Sequence, residues 1–86
     1  MRISVELTLT PLHDNYEPAI INFIKKLRAS GLKVLENPLS TQVYGDYDEV
    51  MRLLTTEIKE AFGLIESGLL YMKIVKTDRH DYEPNF

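Results

Sequence analysis

The chain has 86 residues, of which 44% are hydrophobic and 27% are charged, and its formal net charge is -3. It has no cysteine, which excludes disulfides, thiol catalysis and the usual structural zinc sites. The scattered lysines and arginines form no basic stripe for a nucleic-acid backbone, and no apolar run approaches the length of a membrane span. The first residues enter a strand pattern without the apolar core of a secretory signal. We therefore expect one small cytoplasmic domain that binds neither nucleic acid nor a membrane.

The first strand is the clearest element in the sequence. Apolar and polar side chains alternate strictly over residues 2–10, which is typical of a strand with one buried face. Pro11 is expected to end this strand, and Asp14 or Asn15 to cap a helix that follows. Apolar residues then recur at helical spacing, and Gly31 is predicted to close the helix.

The next part of the chain predicts a hairpin followed by a second helix. Residues 32–36 and 39–44 read as two antiparallel strands joined by an Asn-Pro turn. Gly45 is expected to form a tight turn after the hairpin. Asp46 is expected to cap the helix, with Glu49 three residues later as its capping-box partner.

A helix over about residues 47–66 and a strand over residues 69–76 complete the order βαββαβ. Two right-handed crossovers that share one antiparallel sheet predict a ferredoxin-like α+β sandwich, with four strands and both helices on one face. Residues 1–76 are predicted to form this single domain. Residues 77–86 show no periodicity and are predicted to be a polar C-terminal tail.

The sheet face opposite the helices is predicted to be polar. It would carry side chains from the first and third strands: Ser4, Glu6, Thr8, Ser40, Gln42 and Tyr44. Because these side chains are too polar for a second hydrophobic core, a small polar ligand or the sheet of another subunit could cover them. Glu6 is unusual because glutamate is disfavoured in strands. It is either a solvated carboxylate paired with Lys73 or a ligand-binding group.

Motifs of catalysis and cofactor binding are absent from the sequence. No nucleophile elbow, zinc-protease helix or phosphate-binding glycine loop occurs. Asp46 and Asp48 are explained by the start of a helix. The repeated loop residues around His13 and His80 are better explained by chance than by a duplicated metal site. We therefore expect no catalytic residues, no metal and no cofactor.

Three segments carry a family signature. They are ISVELTLTPL at residues 3–12, NYEPAIINFI at 15–24 and NPLSTQVYGDYDEVM at 37–51. They resemble the small single-domain members of the YkoF-like thiamine/hydroxymethylpyrimidine-binding family, and the resemblance extends to about Lys76. It implies a ferredoxin-like fold and homo-oligomers, dimers or tetramers, assembled through the sheets. It also implies a carrier or sensor of thiamine or its pyrimidine precursor rather than an enzyme.

The resemblance also implies a ligand site on the matching strands. Its candidate residues are Glu6, Thr8, Thr41, Gln42, Tyr44 and Tyr71. A carboxylate can meet the amine of an aminopyrimidine or the charge of a thiazolium, and a tyrosine ring can stack on either. A regular strand would place Thr41 and Gln42 on opposite faces of the sheet. Either face could therefore hold the pocket.

Two other functions compete with this interpretation. The first is an oligomeric regulatory or scaffold module of the same fold, in which Glu6 and the tyrosines serve only the subunit interface. The second is a small hydrolase of the acylphosphatase type, which shares the topology. That hydrolase needs an anion-binding loop with an arginine after the first strand, where this sequence has Pro-Leu-His-Asp-Asn.

Overall fold

The computed structural model describes residues 1–86 and contains four strands and two helices. They are β1 (Arg2–Pro11), α1 (Glu17–Arg28), β2 (Lys33–Glu36), β3 (Thr41–Asp46), α2 (Tyr47–Gly63) and β4 (Gly68–Val75). The strands form one sheet in the order β2-β3-β1-β4, and every neighbouring pair is antiparallel. The predicted ferredoxin-like fold is confirmed. Neither helix combines the length and the apolar character needed to cross a membrane.

The core lies between the sheet and the two helices. It is formed by ten buried residues, Ile3, Val5, Leu7, Leu9, Phe23, Leu27, Val43, Val50, Leu54 and Ala61. The four from β1 are alternate residues of that strand, because successive side chains of a strand point to opposite faces. The alternation seen in the sequence therefore identified the buried face of the central strand correctly.

The start of α1 differs from the prediction. The N-cap residue is Tyr16, and neither it nor the predicted Asp14 or Asn15 caps the helix with a side chain. A proline occupies the first turn, where its missing N–H has no helical partner in any case. The fixed φ angle of this proline favours a helical start without a side-chain cap.

The end of α1 is set by Ser30 as well as by the predicted Gly31. The Ser30 hydroxyl donates to the carbonyl of Leu27 at 2.6 Å and accepts from the N–H of Leu32 at 3.2 Å. Gly31 has a φ of 85°, a left-handed conformation that glycine adopts at little cost. These two residues turn the chain towards β2.

Gly45 does not form the predicted turn. It lies within β3, opposite Ile3 of β1, and Gly31 is the only glycine with a positive φ. The requirement at Gly45 is for space: a Cβ there would lie 3.2 Å from Leu32 Cδ2 and 3.2 Å from Val50 Cγ2. The glycine lets helix α2 and the chain before β2 approach this strand closely.

Asp46 is the N-cap residue of α2, as predicted, but its side chain makes no capping hydrogen bond. Its carboxylate accepts from the N-terminal ammonium group of Met1 at 3.2 Å. The N–H of Tyr47 donates to the carbonyl of Met1 at 2.8 Å. The predicted capping box is therefore wrong. The carbonyl of Met1, instead of a capping side chain, accepts the hydrogen bond of the first N–H group of α2.

The remaining differences concern where elements begin and end. The side chain of Asn37 accepts from the N–H groups of Leu39 at 2.8 Å and Ser40 at 3.0 Å. This turn occupies the residues predicted to start the third strand, which begins only at Thr41. Helix α2 ends at Gly63, three residues before the predicted end at residue 66.

We expect Gly45→Val to lower the free energy of unfolding by about 1–3 kcal/mol, because the added side chain overpacks the contact with Leu32 and Val50. The measurement is urea unfolding followed by circular dichroism. Gly63→Val is the matched control, since a Cβ at Gly63 would meet nothing within 4 Å. Equal stability of the two variants would show that Gly45 is not required for close packing.

Candidate functional site

The strand register decides which predicted site residues share a face. Glu6 lies opposite Gln42 of β3 and Lys73 of β4, and the neighbouring pairs are Ser4 with Tyr44 and Thr8 with Tyr71. Directly opposed residues of antiparallel strands point to the same side of the sheet. The structure therefore brings together five of the six candidates on the sheet face away from the helices, which we call the open face. They are Glu6, Thr8, Gln42, Tyr44 and Tyr71.

Thr41 is the candidate that the structure does not bring to the open face. It lies opposite Leu7 and is 8% exposed, on the side of the helices. There it lines a groove of about 190 Å³ between β1, α1 and the β2–β3 turn. Thr8 also lines this groove, and its hydroxyl donates to the carbonyl of Leu39, in the turn before β3, at 3.4 Å.

A hydrogen-bonded group of Glu6, Ser40 and Gln42, which we call the Glu6 network, lies at the centre of the open face. The Ser40 hydroxyl donates to Oε2 of Glu6 at 3.0 Å and accepts from Nε2 of Gln42 at 2.8 Å. Lys73 lies opposite Glu6 but forms no ion pair with it. The network therefore holds the carboxylate in place without neutralising its charge.

Ser40 links the two regions, since it belongs to the Glu6 network and also lines the groove. The alternation of residues in the sequence predicts Ser40 on this face, but Ser40 was not among the predicted site residues. Its spacing could have identified it as a site residue, because Ser40 lies two residues before Gln42, and residues two apart in an extended segment point to the same side. Its role depends on Glu6, which is 34 residues away.

The two tyrosines of the open face differ in accessibility. Tyr44 is 8% exposed, whereas Tyr71 on the edge strand β4 is 58% exposed. Burial, and then the nearby carboxylates of Asp78 and Glu6, raise the pKa of the Tyr44 phenol above its usual value. Tyr44 is thus a buried phenol that stays protonated at neutral pH, and Tyr71 is an aromatic surface open to solvent.

Residues 77–80, which we call the C-terminal segment, lie against the open face. The Ser4 hydroxyl donates to the carbonyl of Thr77 at 2.6 Å and accepts from the N–H of Arg79 at 2.8 Å. The guanidinium of Arg2 donates to Asp78 at 2.7 Å. The sequence indicated a polar tail here, and nothing in its pattern pointed to contacts with residues near the N-terminus.

Asp78 connects this segment to an aromatic pair. One of its oxygens contacts Nδ1 of His80 at 2.6 Å, and the His80 ring packs edge-on against Tyr44 with centroids 6.0 Å apart. Hydrogen bonds from His80 and Arg2 hold the pKa of the Asp78 carboxyl well below its usual range. The ionised carboxylate therefore persists at neutral pH and fixes the orientation of the imidazole.

A larger cavity, of about 480 Å³, lies away from the open face. It is lined by His13, Asn15, Pro18, Ala19, Leu64 and Glu66. None of the predicted site residues reaches this cavity. The Nε2 atom of His13 is buried without a hydrogen-bond partner, so it is not exposed to a molecule in the cavity. Volume alone does not favour this place over the polar groups that converge on the open face.

Solved structures from three organisms have a similar fold. A Thermotoga maritima protein proposed to act in thiamine biosynthesis or salvage is 19% identical, with a TM-score of 0.81 over 90% of this chain and 85% of that one. A Streptococcus pneumoniae protein is 24% identical, with a TM-score of 0.83 over 91% of this chain and 89% of the other. A hypothetical protein of Methanocaldococcus jannascii is 20% identical, with a TM-score of 0.75 over 95% and 84% of the two chains. These likenesses support the fold.

A comparison with curated protein sequences gives no match. A family model described as thiamine-binding protein matches residues 5–85. The match includes the C-terminal segment, which lies beyond the resemblance that ends at about Lys76. The chain therefore belongs to the thiamine-binding protein family, in agreement with the resemblance carried by its first strand, its first helix and the segment around β3.

Proposed function

We propose that the protein binds thiamine or its hydroxymethylpyrimidine moiety on the open face, without transforming it, and acts as a carrier or sensor of that ligand. The single observation that carries the proposal is the Glu6 network. It places a charged carboxylate beside a hydroxyl and an amide on a sheet face that has no second hydrophobic core. Membership of the thiamine-binding family supports the ligand class.

The groups of the Glu6 network match the edge of an aminopyrimidine. An exocyclic amine donates hydrogen bonds, and a carboxylate accepts them strongly because its charge assists the bond. The adjacent ring nitrogens accept hydrogen bonds, which the Gln42 amide or the Ser40 hydroxyl can donate after a small rearrangement. Thiamine also carries a permanent positive charge, which the unneutralised Glu6 carboxylate favours.

The aromatic residues supply two different surfaces. Tyr71 offers an accessible face on which a flat ring can stack, and a cation over that face would gain about 0.5–2 kcal/mol. Tyr44 is largely covered, so its contribution is the edge of the ring and the protonated hydroxyl. The site is therefore open on the side of β4 and bounded on the side of Tyr44.

The site extends in our proposal from the Glu6 network towards the groove. Ser40 and Thr8 line both regions, and Thr41 belongs to the groove. A ligand of two linked rings could place one ring on Glu6 and extend the other past Thr8. This arrangement gives Thr41 a role although it lies on the other face of the sheet.

Assembly through the sheets is part of the proposal. The outer part of the open face is mostly apolar, because three of the four β4 residues on it, Leu69, Tyr71 and Val75, are exposed apolar or aromatic residues beside Lys73. A domain of this size buries a small core, and a second copy of the chain that covers these residues would add apolar burial. Dimers or tetramers would also shield a ligand on Glu6 from water. The cytoplasmic location remains a prediction from the sequence.

The same apolar residues favour the alternative, an oligomeric regulatory or scaffold module without a small-molecule ligand. The two functions differ in one observable. A ligand that binds only the folded protein raises its stability by about 2.7 kcal/mol at a hundredfold excess over the dissociation constant. Thermal unfolding with thiamine and with hydroxymethylpyrimidine therefore separates them.

We expect Glu6→Gln to keep the fold and to weaken ligand binding by about 1.5–3 kcal/mol, the contribution of a hydrogen bond to a charged group. Isothermal calorimetry with thiamine and with hydroxymethylpyrimidine measures the change. Glu66→Gln is the matched control, because Glu66 lines the larger cavity instead. A loss of affinity in the control with no loss in Glu6→Gln would move the site to that cavity.

We expect thiamine, thiamine phosphates and acyl phosphate to be recovered unchanged after hours with stoichiometric protein at neutral pH. The reason is that no hydroxyl is hydrogen-bonded to a histidine, and the one hydroxyl that donates to a carboxylate, that of Ser40 to Glu6, has its other hydrogen bond from the Gln42 amide, which is not a base. Chromatography of the mixture is the measurement. Turnover that is lost on substitution of Glu6, His13 or His80 would contradict the proposed carrier function and favour a hydrolase.

Light scattering at micromolar concentration is expected to give a mass of two or four times the 10.0 kDa of one chain. Leu69→Lys should reduce that mass, because it places a charge in the proposed sheet interface. Leu64→Lys is the control, since Leu64 is equally a large exposed residue but follows helix α2. A monomeric wild-type protein would refute assembly through the sheets.

A further inference from the structure

We infer that the C-terminal segment, residues 77–80, forms a wall of the ligand site, with His80 in contact with the ligand and Ser4 and Asp78 as positioning residues. This inference rests on the proposed binding site on the open face. It assigns a binding role to a part of the chain that the sequence indicated only as a polar tail.

The attachment of the segment begins at Ser4. The alternation of β1 turns this residue towards the open face, where a serine beside an edge strand is ordinarily exposed to solvent. Ser4 is nevertheless only 8% exposed. Its single hydroxyl both donates to and accepts from the segment, so the backbone of residues 77–79 is held in one position. The segment therefore covers the Ser4–Tyr44 pair as an ordered part of the face.

The second attachment fixes the imidazole. Asp78 uses Oδ2 for Arg2 and Oδ1 for both the N–H and the Nδ1 atom of His80. A histidine held at Nδ1 by a carboxylate has a defined ring orientation and keeps Nε2 for another partner. Arg2 is the first residue of β1, so its hydrogen bond to Asp78 attaches the C-terminal segment directly to the sheet.

The position of this wall follows from the register. The Ser4–Tyr44 pair lies two residues from the Glu6–Gln42 pair on each strand, which is roughly 7 Å along the same face. That distance is close to the width of a single aromatic ring with its substituents. A flat ligand bound to Glu6 therefore has the C-terminal segment at one end and open space towards Thr8 and Tyr71 at the other.

The electrostatics of Tyr44 agree with this arrangement. Burial, and then the carboxylates of Asp78 and Glu6, raise the pKa of its phenol, which agrees with its place opposite Ser4 and two residues from Gln42 on β3. His80 packs against the same ring. The wall limits how far a ligand can extend in this direction and thereby contributes to the selection of ligands by length.

The test uses the full-length chain with thiamine and with hydroxymethylpyrimidine. His80→Ala is expected to weaken binding about three- to tenfold, the effect of losing one aromatic contact. Tyr82→Ala is the matched control, because Tyr82 is an aromatic residue of the same tail that is 62% exposed. The chain has two histidines, so the proton resonances of the His80 ring can be assigned by comparison with the variant. They should shift on ligand titration while those of His13 stay unchanged.

Ser4→Ala tests the positioning role. The variant should speed hydrogen exchange at the amide of Arg79, which donates to Ser4 in the wild type, and it should weaken ligand binding. The double variant Ser4→Ala/His80→Ala should bind no more weakly than His80→Ala alone, since both changes remove the same contact between His80 and the ligand. Additive losses would show that Ser4 does not act through His80 and would overturn its positioning role.

The other outcomes are equally decisive. Wild-type binding with unchanged affinity in His80→Ala and unshifted His80 resonances would overturn the wall and leave the proposed function intact. Tighter binding by His80→Ala would show that the segment competes with the ligand for Tyr44, which also overturns the wall. Failure of the wild-type protein to bind either compound would overturn the proposed function, and the inference with it.

Discussion

Strand β1 lies between β3 and β4, and the rest of the structure depends on how its two faces differ. Its apolar residues, buried beneath α1 and α2, supply four of the ten core positions. The residues between them, among them Ser4, Glu6 and Thr8, are consequently turned to the open face. A shift of one residue in register would exchange the two sets and place Glu6 in the core. The core and the candidate site are thus fixed by one strand register.

The polar open face contributes little to the folding free energy of a small protein. A carboxylate in the middle of a central strand adds no apolar burial, and the chain has few other residues with which to enlarge its core. The Glu6 network limits the cost by giving the carboxylate a hydroxyl donor. Functional sites are commonly places where a sequence departs from the choice that would best stabilise the fold. Glu6 is the clearest such departure in β1.

The two ends of the chain meet around this strand. The carbonyl of Met1 accepts a hydrogen bond from the N–H of Tyr47 at the start of α2. The guanidinium of Arg2 donates to Asp78 of the C-terminal segment. In a ferredoxin-like sheet the first and last strands are neighbours, so residues that precede β1 and residues that follow β4 lie at the same end of the sheet. This topology explains why a polar tail becomes an ordered part of the open face.

The sequence by itself determined the order of the elements, the fold, the buried face of β1 and the open-face position of Glu6, Gln42 and Tyr44. These features follow from the local periodicity of side chains, which requires no knowledge of distant residues. Tertiary structure alone decided that Gly45 provides space for Leu32 and Val50 rather than a turn. It also decided that Met1 replaces the side-chain cap of Asp46. Ser40 meets Glu6 across 34 positions, and Ser4 binds the segment 73 and 75 positions later. Such contacts depend on how separate elements pack, and no local pattern in the sequence encodes them.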